Sequence, residues 1–174
     1  DEAVQQLLGV DLVFFSTYVW NFRISLAIAK SLKMLAPETV IVLGGPHVPD
    51  NADEFLRSNT FVDIACHGEG EQPGLAMLES WDSRQWSHIP GVSFLERDGT
   101  LVHNPKGARM SDFSGYPSPY LEGVFAPLMD ANPKEHWIAL WETNRGCPFS
   151  CSFCDWGSAV QSKVYPFHIE RLFG

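Results

Sequence analysis

The chain has 174 residues, of which 45% are hydrophobic, and a net charge of −9 from 21 acidic and 12 basic side chains. This acidic balance excludes a large basic surface for nucleic acid or an anionic membrane, and no apolar run approaches the ~20 residues of a membrane-spanning helix. Four cysteines in a chain of this length do not make the disulfide framework of a small secreted domain, and they favour metal or redox chemistry.

The first half of the sequence alternates helices and strands. Residues 1–9 predict the end of a helix that stops at Gly9, and the apolar run DLVFFS (11–16) predicts a parallel strand covered on both faces. Further strands are predicted at 39–45 and 61–68, and helices at 21–35, 51–58 and 69–81. This order predicts an open, mostly parallel α/β sheet with right-handed crossovers. Since such a sheet usually has about five strands and three are found, we expect the others to precede Asp1.

The helix predicted at 21–35 is amphipathic. Asn21 stands before its first turn as a candidate N-cap. The polar face comprises Arg23, Lys30 and Lys33. The apolar face, which we expect to be buried, comprises Ile24, Ile28, Leu32 and Leu35.

After about residue 86 the pattern changes. Residues 91–104 alternate around Asp98-Gly99, which predicts a β-hairpin. Residues 105–136 are rich in turn-forming residues and predict an ordered linker that contains the segment PSPYL, and WIALWETN (137–144) predicts a strand. The predicted domains are an α/β domain at 1–86, a hairpin and linker at 87–136, and the start of another domain at 137–174.

Three of the four cysteines lie within eight residues, with the spacing Cys147-x3-Cys151-x2-Cys154. A structural zinc site has four ligands, and no second cysteine pair exists here, so that His168 is the nearest candidate for a fourth ligand. Three thiolates fit an iron–sulfur cluster in which one iron keeps a coordination site for a small molecule. The spacing therefore favours metal binding over inert thiols.

The sequence RGCPFSCSFC (145–154) resembles the cluster motif of the radical S-adenosylmethionine (radical SAM) enzymes. The resemblance implies a 4Fe-4S cluster held by Cys147, Cys151 and Cys154. It implies that SAM binds the open iron and is cleaved to a 5′-deoxyadenosyl radical, and that Phe153 lies against the adenine of SAM. Ordinary packing within the loop is the alternative for Phe153 and for Trp156.

The three predicted strands of the first half end in the loops STYVWN (16–21), GGPH (44–47) and GEGE (68–71). Ligands of open parallel sheets bind beyond the carboxyl ends of the strands, and glycine lets the backbone approach a bulky ligand. Together with the cysteine motif, these loops resemble the cobalamin-binding domain that precedes the barrel in one large group of radical SAM enzymes.

This second resemblance covers nearly the whole chain. It implies that cobalamin contacts Ser16, Tyr18, Trp20, Asn21, Gly44, Gly45, Pro46, Gly68, Glu69 and Gly70. Plain turns remain the alternative for each loop alone, and a strand-end aromatic cluster remains the alternative for Tyr18 and Trp20. The Asp-x-His-x-x-Gly motif that supplies a cobalt ligand in many cobalamin proteins is absent, and neither His47 nor His67 has that context, so no axial ligand is assigned.

The implied fold class is α/β: a Rossmann-like open parallel sheet of the cobalamin-binding type, then a hairpin and linker, then the first strand and cluster loop of a radical SAM (β/α) barrel. The implied activity is methyl transfer to an unactivated carbon or phosphorus centre, with a 4Fe-4S cluster, S-adenosylmethionine and cobalamin as cofactors. The implied partners are a small-molecule substrate and an electron donor of the flavodoxin or ferredoxin kind, without nucleic acid or membrane.

Three alternatives stay open. One is cyclisation or rearrangement on the same scaffold, another is a non-catalytic cobalamin-fold module with a structural metal, and the third is a methylthiotransferase-like modifier of RNA. No catalytic residue is assigned, because substrate contacts would come from the rest of the barrel. We therefore expect the chain to be a piece of a longer cytoplasmic enzyme and to be inactive by itself.

Overall fold

A computed structural model describes residues 2–149, 151–154 and 163–173, so Trp156 lies outside the described residues. The chain divides into two compact units, residues 1–108 and 109–174. The first unit contains a sheet with helices, and the second contains the cysteine motif.

The first unit alternates helices and strands, and the predicted α/β fold is confirmed. Gly9 ends the first helical segment with a φ of +83°. The helices are α1 (Glu2–Gln6), α2 (Phe22–Leu35), α3 (Asp53–Ser58) and α4 (Glu71–Glu79). The strands are β1 (Leu12–Ser16), β2 (Val40–Gly44), β3 (Ile64–Cys66), β4 (Val92–Leu95) and β5 (Leu101–His103).

Within the described residues, one five-stranded sheet has the order β1-β2-β3-β4-β5. β1, β2 and β3 run parallel, and the β4–β5 hairpin joins β3 in antiparallel pairing. The predicted turn is present, since the Asp98 carboxylate accepts a hydrogen bond from the Thr100 N–H at 2.9 Å. The hairpin brings the sheet of the described residues to five strands.

The sheet has a core layer on each face. α1, α2 and α3 pack against one face, where Ile41 and Leu43 of β2 are buried. α4 covers the other face, where Val42 of β2 and Ile64 of β3 are buried. Residues 40–43 are therefore buried on both sides, as expected for an inner parallel strand.

β1 is an edge strand of this sheet and is less covered. The Phe14 side chain is half exposed, although its ring lies beside Gly74 of α4. The prediction that DLVFFS is covered on both faces is therefore wrong for the described residues.

The face that helix α2 turns to the sheet is rotated from the predicted one, although Leu32 is buried and Ile28 packs against the core as predicted. Its buried residues are Ser25, Ala29 and Leu32, whereas Ile24 and Leu35 are 61% and 60% exposed. Two of these buried residues, Ser25 and Ala29, have small side chains. A prediction based on the largest apolar residues misses this rotation.

The same rotation moves Lys33 from the predicted polar face into a half-buried ion pair. Its Nζ lies 2.8 Å from Oδ2 of Asp63 and donates to the Thr39 carbonyl at 2.7 Å. Asp63 also accepts the Ile41 N–H at 2.6 Å through the same oxygen. One carboxylate therefore joins α2, β2 and the start of β3.

We expect Asp63→Ala to lower the free energy of unfolding by about 2 kcal/mol, because it leaves the Ile41 N–H without its acceptor and leaves Lys33 with the Thr39 carbonyl but no carboxylate. Asp53→Ala is the matched control, since Asp53 pairs with Arg57 on the exposed side of α3 at 2.7 Å. The control should cost less than about 1 kcal/mol. Urea unfolding followed by circular dichroism measures both, and equal losses would contradict the role given to Asp63.

The second unit has short elements. They are α5 (Ala126–Ala131), β6 (Asn144–Gly146), β7 (Val164–Pro166) and α6 (Ile169–Phe173). β6 pairs antiparallel with β7. The strand predicted at 137–144 is wrong over most of its length, because residues 137–143 form no strand and Ile138 and Leu140 are 93% and 90% exposed.

Aromatic and guanidinium groups pack together in this unit. Phe113 and Phe167 are buried, with ring centroids 4.7 Å apart. The Arg171 guanidinium lies 4.3 Å from the Phe167 centroid, and the Arg145 guanidinium lies 5.1 Å from the Phe113 centroid. These contacts fix Arg145, which stands two residues before the first cysteine of the motif.

Among the described residues, no helix has both the length and the apolar character needed to cross a membrane.

Candidate functional site

The three predicted loops meet at one edge of the sheet, because β1, β2 and β3 run parallel and all end there. Ser16 and Gly44 are register partners at this edge. Cys66, at the end of β3, lies so close to Gly44 that a Cβ at Gly44 would be 3.6 Å from the Cβ of Cys66. The structure therefore brings together the ends of the three strands from which the loops begin, as the sequence predicts.

Thr17 joins the first two loops, and sequence reasoning missed it. It is fully buried. Its N–H and its hydroxyl both donate to the Gly44 carbonyl, each at 2.7 Å, and its own carbonyl accepts the His47 N–H at 3.2 Å. A single threonine carries no recognisable motif, so only its place between a strand end and an aromatic loop could have suggested this role.

Gly45 lies against the Thr17 backbone. Its φ of +96° is a conformation that L side chains rarely adopt. A Cβ at this position would lie 2.6 Å from the Thr17 carbonyl oxygen, which is backbone and does not move aside easily. The GGPH loop therefore needs glycine at this position for both conformation and space.

Asn21 holds the first loop rather than capping α2. Its side-chain amide donates to the Ser16 carbonyl at 2.9 Å, and its Oδ1 accepts the Tyr18 N–H at 2.7 Å. It makes no side-chain hydrogen bond to the helix, so the N-cap prediction is correct in position but wrong in chemistry. These two bonds close the 16–21 loop on itself.

Tyr18 and Trp20 form a stacked pair in this loop. Their ring centroids are 4.7 Å apart and their planes differ by 8°. Trp20 is 76% exposed, so the pair presents a flat aromatic surface to solvent. The aromatic cluster that we considered as an alternative is present, and its exposure leaves it available for a planar ligand.

The third loop is open. Gly68 has a φ of +81°, and a Cβ at Gly68 or at Gly70 would meet no atom within 4 Å. The Glu69 side chain between them is partly buried. Backbone groups of this loop are therefore accessible to a large ligand.

The two histidines at this edge are engaged with protein groups. The His47 ring packs edge-on against Phe22, with centroids 4.3 Å apart. Buried His67 lies with its Nε2 2.9 Å from the Ser93 hydroxyl. Nε2 of His67 therefore already has a protein partner, whereas His47 is exposed and contacts Phe22 through its ring.

Cys66 is a small buried side chain at the end of β3, as predicted. Burial raises the pKa of its thiol to about 11, and the Glu71 carboxylate adds to this effect. The thiol is therefore protonated and unreactive at neutral pH.

The cysteines of the motif differ from Cys66. Cys147 and Cys154 are partly buried, Cys151 is exposed, and all three are free thiols. The Cys154 N–H donates to the Cys151 carbonyl at 3.1 Å, which makes a turn, and Phe153 is 92% exposed in it. The packing alternative for Phe153 therefore has no support among the described residues.

The donor chemistry of this loop fits an iron–sulfur cluster, since three accessible thiols stand within eight residues. The positions do not yet form a metal site: within residues 2–149, 151–154 and 163–173, no three His, Cys, Asp or Glu side chains are close enough to hold an ion. The cluster ligands therefore remain a prediction from the motif.

The PSPYL segment contacts the chain that leads to the cysteines. The Tyr120 hydroxyl accepts the Leu140 N–H at 3.0 Å and lies 3.1 Å from the Leu140 carbonyl, to which it donates. It thereby satisfies both backbone groups of a residue that has no strand partner.

Comparison with known proteins agrees with this geometry. A sequence model of the B12 binding domain matches residues 1–78. The chain is 42% identical to the cobalamin-dependent radical SAM methyltransferase TokK of Streptomyces tokunonensis, over 98% of this chain and 26% of TokK. Residues 1–78 therefore carry a B12 binding domain, and nearly the whole chain is similar to a cobalamin-dependent radical SAM methyltransferase.

A second relative is the 2-(S-pantetheinyl)-carbapenam-3-carboxylate methyltransferase of Streptantibioticus cattleyicolor. It is 41% identical, again over 98% of this chain and 26% of the relative. The chain thus spans about a quarter of the length of these curated relatives.

The fold has a counterpart among solved structures. The cobalamin-dependent S-adenosylmethionine radical enzyme OxsB, with aqua-cobalamin and S-adenosylmethionine bound, matches with a TM-score of 0.73 and 19% identity, over 98% of this chain and 23% of OxsB. At this identity the match concerns the fold alone.

The loop edge fits the cofactor of the B12-binding domain. Positive-φ glycines stand at Gly45 and Gly68, no Cβ crowds the third loop, and exposed aromatic rings stand on the first. The structure adds Thr17 to the predicted residues, and it gives Asn21 the role of holding the loop. Direct contacts between cobalamin and the ten predicted residues remain predictions.

Proposed function

We propose that the chain provides the cobalamin-binding domain and the cluster-binding cysteines of a radical SAM methyltransferase that acts on an unactivated carbon or phosphorus centre. The observation that carries this proposal is the open edge formed by three loops of the B12-binding domain, in the same chain as CxxxCxxC. Similarity to two methyltransferases over nearly the whole chain supports it.

The chain's own residues would divide the binding work. Thr17 and Asn21 hold the first loop, Gly45 lets the second loop approach it, and the Gly68–Gly70 loop leaves backbone groups accessible. Tyr18 and Trp20 would lie against the corrin, and Cys147, Cys151 and Cys154 would hold the cluster. When bound, cobalamin supplies a methyl group, and the cluster with SAM supplies the radical that activates the substrate.

A substrate class follows from the relatives. One of them is named for a carbapenam carboxylate, a small bicyclic acid. We propose a small fused-ring carboxylate as the first substrate to test, with cyclisation or rearrangement as the alternative outcome. We further propose a flavodoxin- or ferredoxin-like electron donor and a reducing, cytoplasmic location, because exposed cluster thiols oxidise elsewhere.

The test is a spectrum of the protein prepared without oxygen, supplied with iron, sulfide and hydroxocobalamin, and then desalted. We expect a broad iron–sulfur shoulder together with sharper corrin bands, at about one corrin and four irons per chain. A shoulder without corrin would contradict cobalt-dependent methyl transfer. Zinc without acid-labile sulfide would favour the non-catalytic module with a structural metal.

A further inference from the structure

Three polar side chains link β3, β4 and β5 beside the Gly68–Gly70 loop. His67 directly follows β3, Ser93 lies in β4, and His103 ends β5. Nε2 of His67 is 2.9 Å from the Ser93 oxygen, which is 2.8 Å from Nδ1 of His103. His67 and Ser93 are buried, whereas His103 reaches solvent.

The number of protons on this link is limited. A serine hydroxyl has one proton, so it donates to one imidazole and accepts from the other. The Ser93 hydroxyl can donate to either histidine. Every group of the link has a partner as long as one of the two imidazole nitrogens that face Ser93 carries a proton and the other does not. If both imidazoles are protonated, the hydroxyl of Ser93 must accept twice, and its own proton loses its acceptor within the link.

The charges around the link also oppose protonation of His67. Burial is the main cause that lowers the pKa of His67, and His103 and Lys106 lower it further, whereas Asp50 acts in the opposite direction. Lys106 and Asp50 form an ion pair at 2.7 Å. Because the folded chain binds this proton less readily than the unfolded chain, the contribution of His67 to stability is complete above pH 6.5 and is lost as the pH falls below it.

His67 is also fixed through its backbone. Its N–H donates to the Gly91 carbonyl at 2.7 Å. The next residue is Gly68, where the chain enters the open loop with a positive φ. The residue that carries the imidazole is therefore anchored to the backbone just before β4 and stands directly before the open loop.

We propose that His67, Ser93 and His103 are positioning residues, which hold the Gly68–Gly70 loop in the conformation that binds the corrin and release it when both histidines are protonated. This inference rests on the proposed function, because that function supplies the corrin ligand. The three residues would stabilise the loop conformation even when no ligand is bound. Acid would therefore weaken cofactor binding through three residues that lie in or directly after β3, β4 and β5.

The test compares Ser93→Ala and His103→Gln with wild type and with His88→Gln. His88 is the matched control, because it is an exposed histidine that contacts only the Ser80 hydroxyl in the described hydrogen bonds, at 3.2 Å. His103→Gln is included as a second variant that should keep the fold even if Ser93→Ala does not, since His103 is exposed at the end of β5. Hydrogen exchange of residues 68–70 is measured without ligand. Hydroxocobalamin affinity is measured at about pH 7.5 and about pH 5.5, which lie about one unit either side of the ordinary histidine pKa.

We expect Ser93→Ala to speed exchange at residues 68–70 and to weaken hydroxocobalamin binding roughly fivefold to tenfold at the higher pH. Wild type and His88→Gln should lose affinity at the lower pH, and His103→Gln should lose much less. Unchanged exchange in both Ser93→Ala and His103→Gln would overturn the proposal, as would an acid response of His103→Gln equal to that of wild type. If exchange responds as expected but wild type binds no corrin, the positioning role is supported and the proposed function fails.

Discussion

Gly45→Ala is expected to destabilise the first unit by about 3 kcal/mol or more and to abolish retention of cobalamin. The new Cβ would lie 2.6 Å from the Thr17 carbonyl oxygen, at a φ of +96°. A positive φ costs an L residue about 1–2 kcal/mol, and overpacking against backbone costs about 1–3 kcal/mol more. The midpoint of thermal unfolding should fall by roughly 10 °C or more.

Gly44→Ala is the matched control for this prediction. A Cβ at Gly44 would make an ordinary contact of 3.6 Å with Cys66, and the φ of Gly44 is not positive. Calorimetry of both variants separates conformation and space from the simple loss of a glycine, and corrin absorbance after desalting compares Gly45→Ala with wild type. If Gly45→Ala unfolds at the temperature of Gly44→Ala and binds corrin as wild type does, the contact between the first two loops is not required.

Replacement of any one motif cysteine by alanine is expected to reduce the bound iron from about four atoms per chain to nearly none. A 4Fe-4S cluster that keeps one open iron has no spare protein ligand, so the loss of Cys147, Cys151 or Cys154 leaves two thiolates. Iron and acid-labile sulfide are assayed after anaerobic reconstitution and desalting. Full iron and sulfide in Cys151→Ala would rule out that residue as a ligand.

Cys66→Ala is the control for the cysteine series. Its thiol is buried in the sheet and protonated, because burial raises its pKa to about 11. The variant should keep its full iron content while losing one titratable thiol. A drop in iron in Cys66→Ala alone would mean that the cluster ligands were misassigned.

Local patterns predicted most elements of the first unit. The apolar runs correctly predicted β1, β2 and β3, and Asp98-Gly99 correctly predicted the hairpin turn. Each of these patterns lies within the strand or turn that it predicts. The pairing of β3 with β4 was not predicted, since it joins Cys66 to Val92 across a helix and a loop. The pairing register of strands that are far apart in the sequence cannot be predicted from a local pattern of residues.

The candidate site was also predicted only in part. Glycines and aromatic residues at strand ends are visible in the sequence, and they lie at one edge as predicted. Thr17 and the link from His67 through Ser93 to His103 were missed, because common polar residues acquire these roles only through partners far along the chain. The strand expected at 137–144 failed for a related reason: its apolar run has no neighbouring strand among the described residues, and strands form by pairing.

The edge position of β1 also affects the colloidal behaviour of the chain. Its residues, LVFFS, include no charge, proline or glycine, and β1 pairs with β2 on one side only within the described residues. Such an edge is a template for strands of other molecules. The net charge of −9 opposes their approach by mutual repulsion, and dissolved salt shortens the range of that repulsion. For the 174-residue chain, concentrated, salty solutions are therefore the conditions in which this edge would favour self-association.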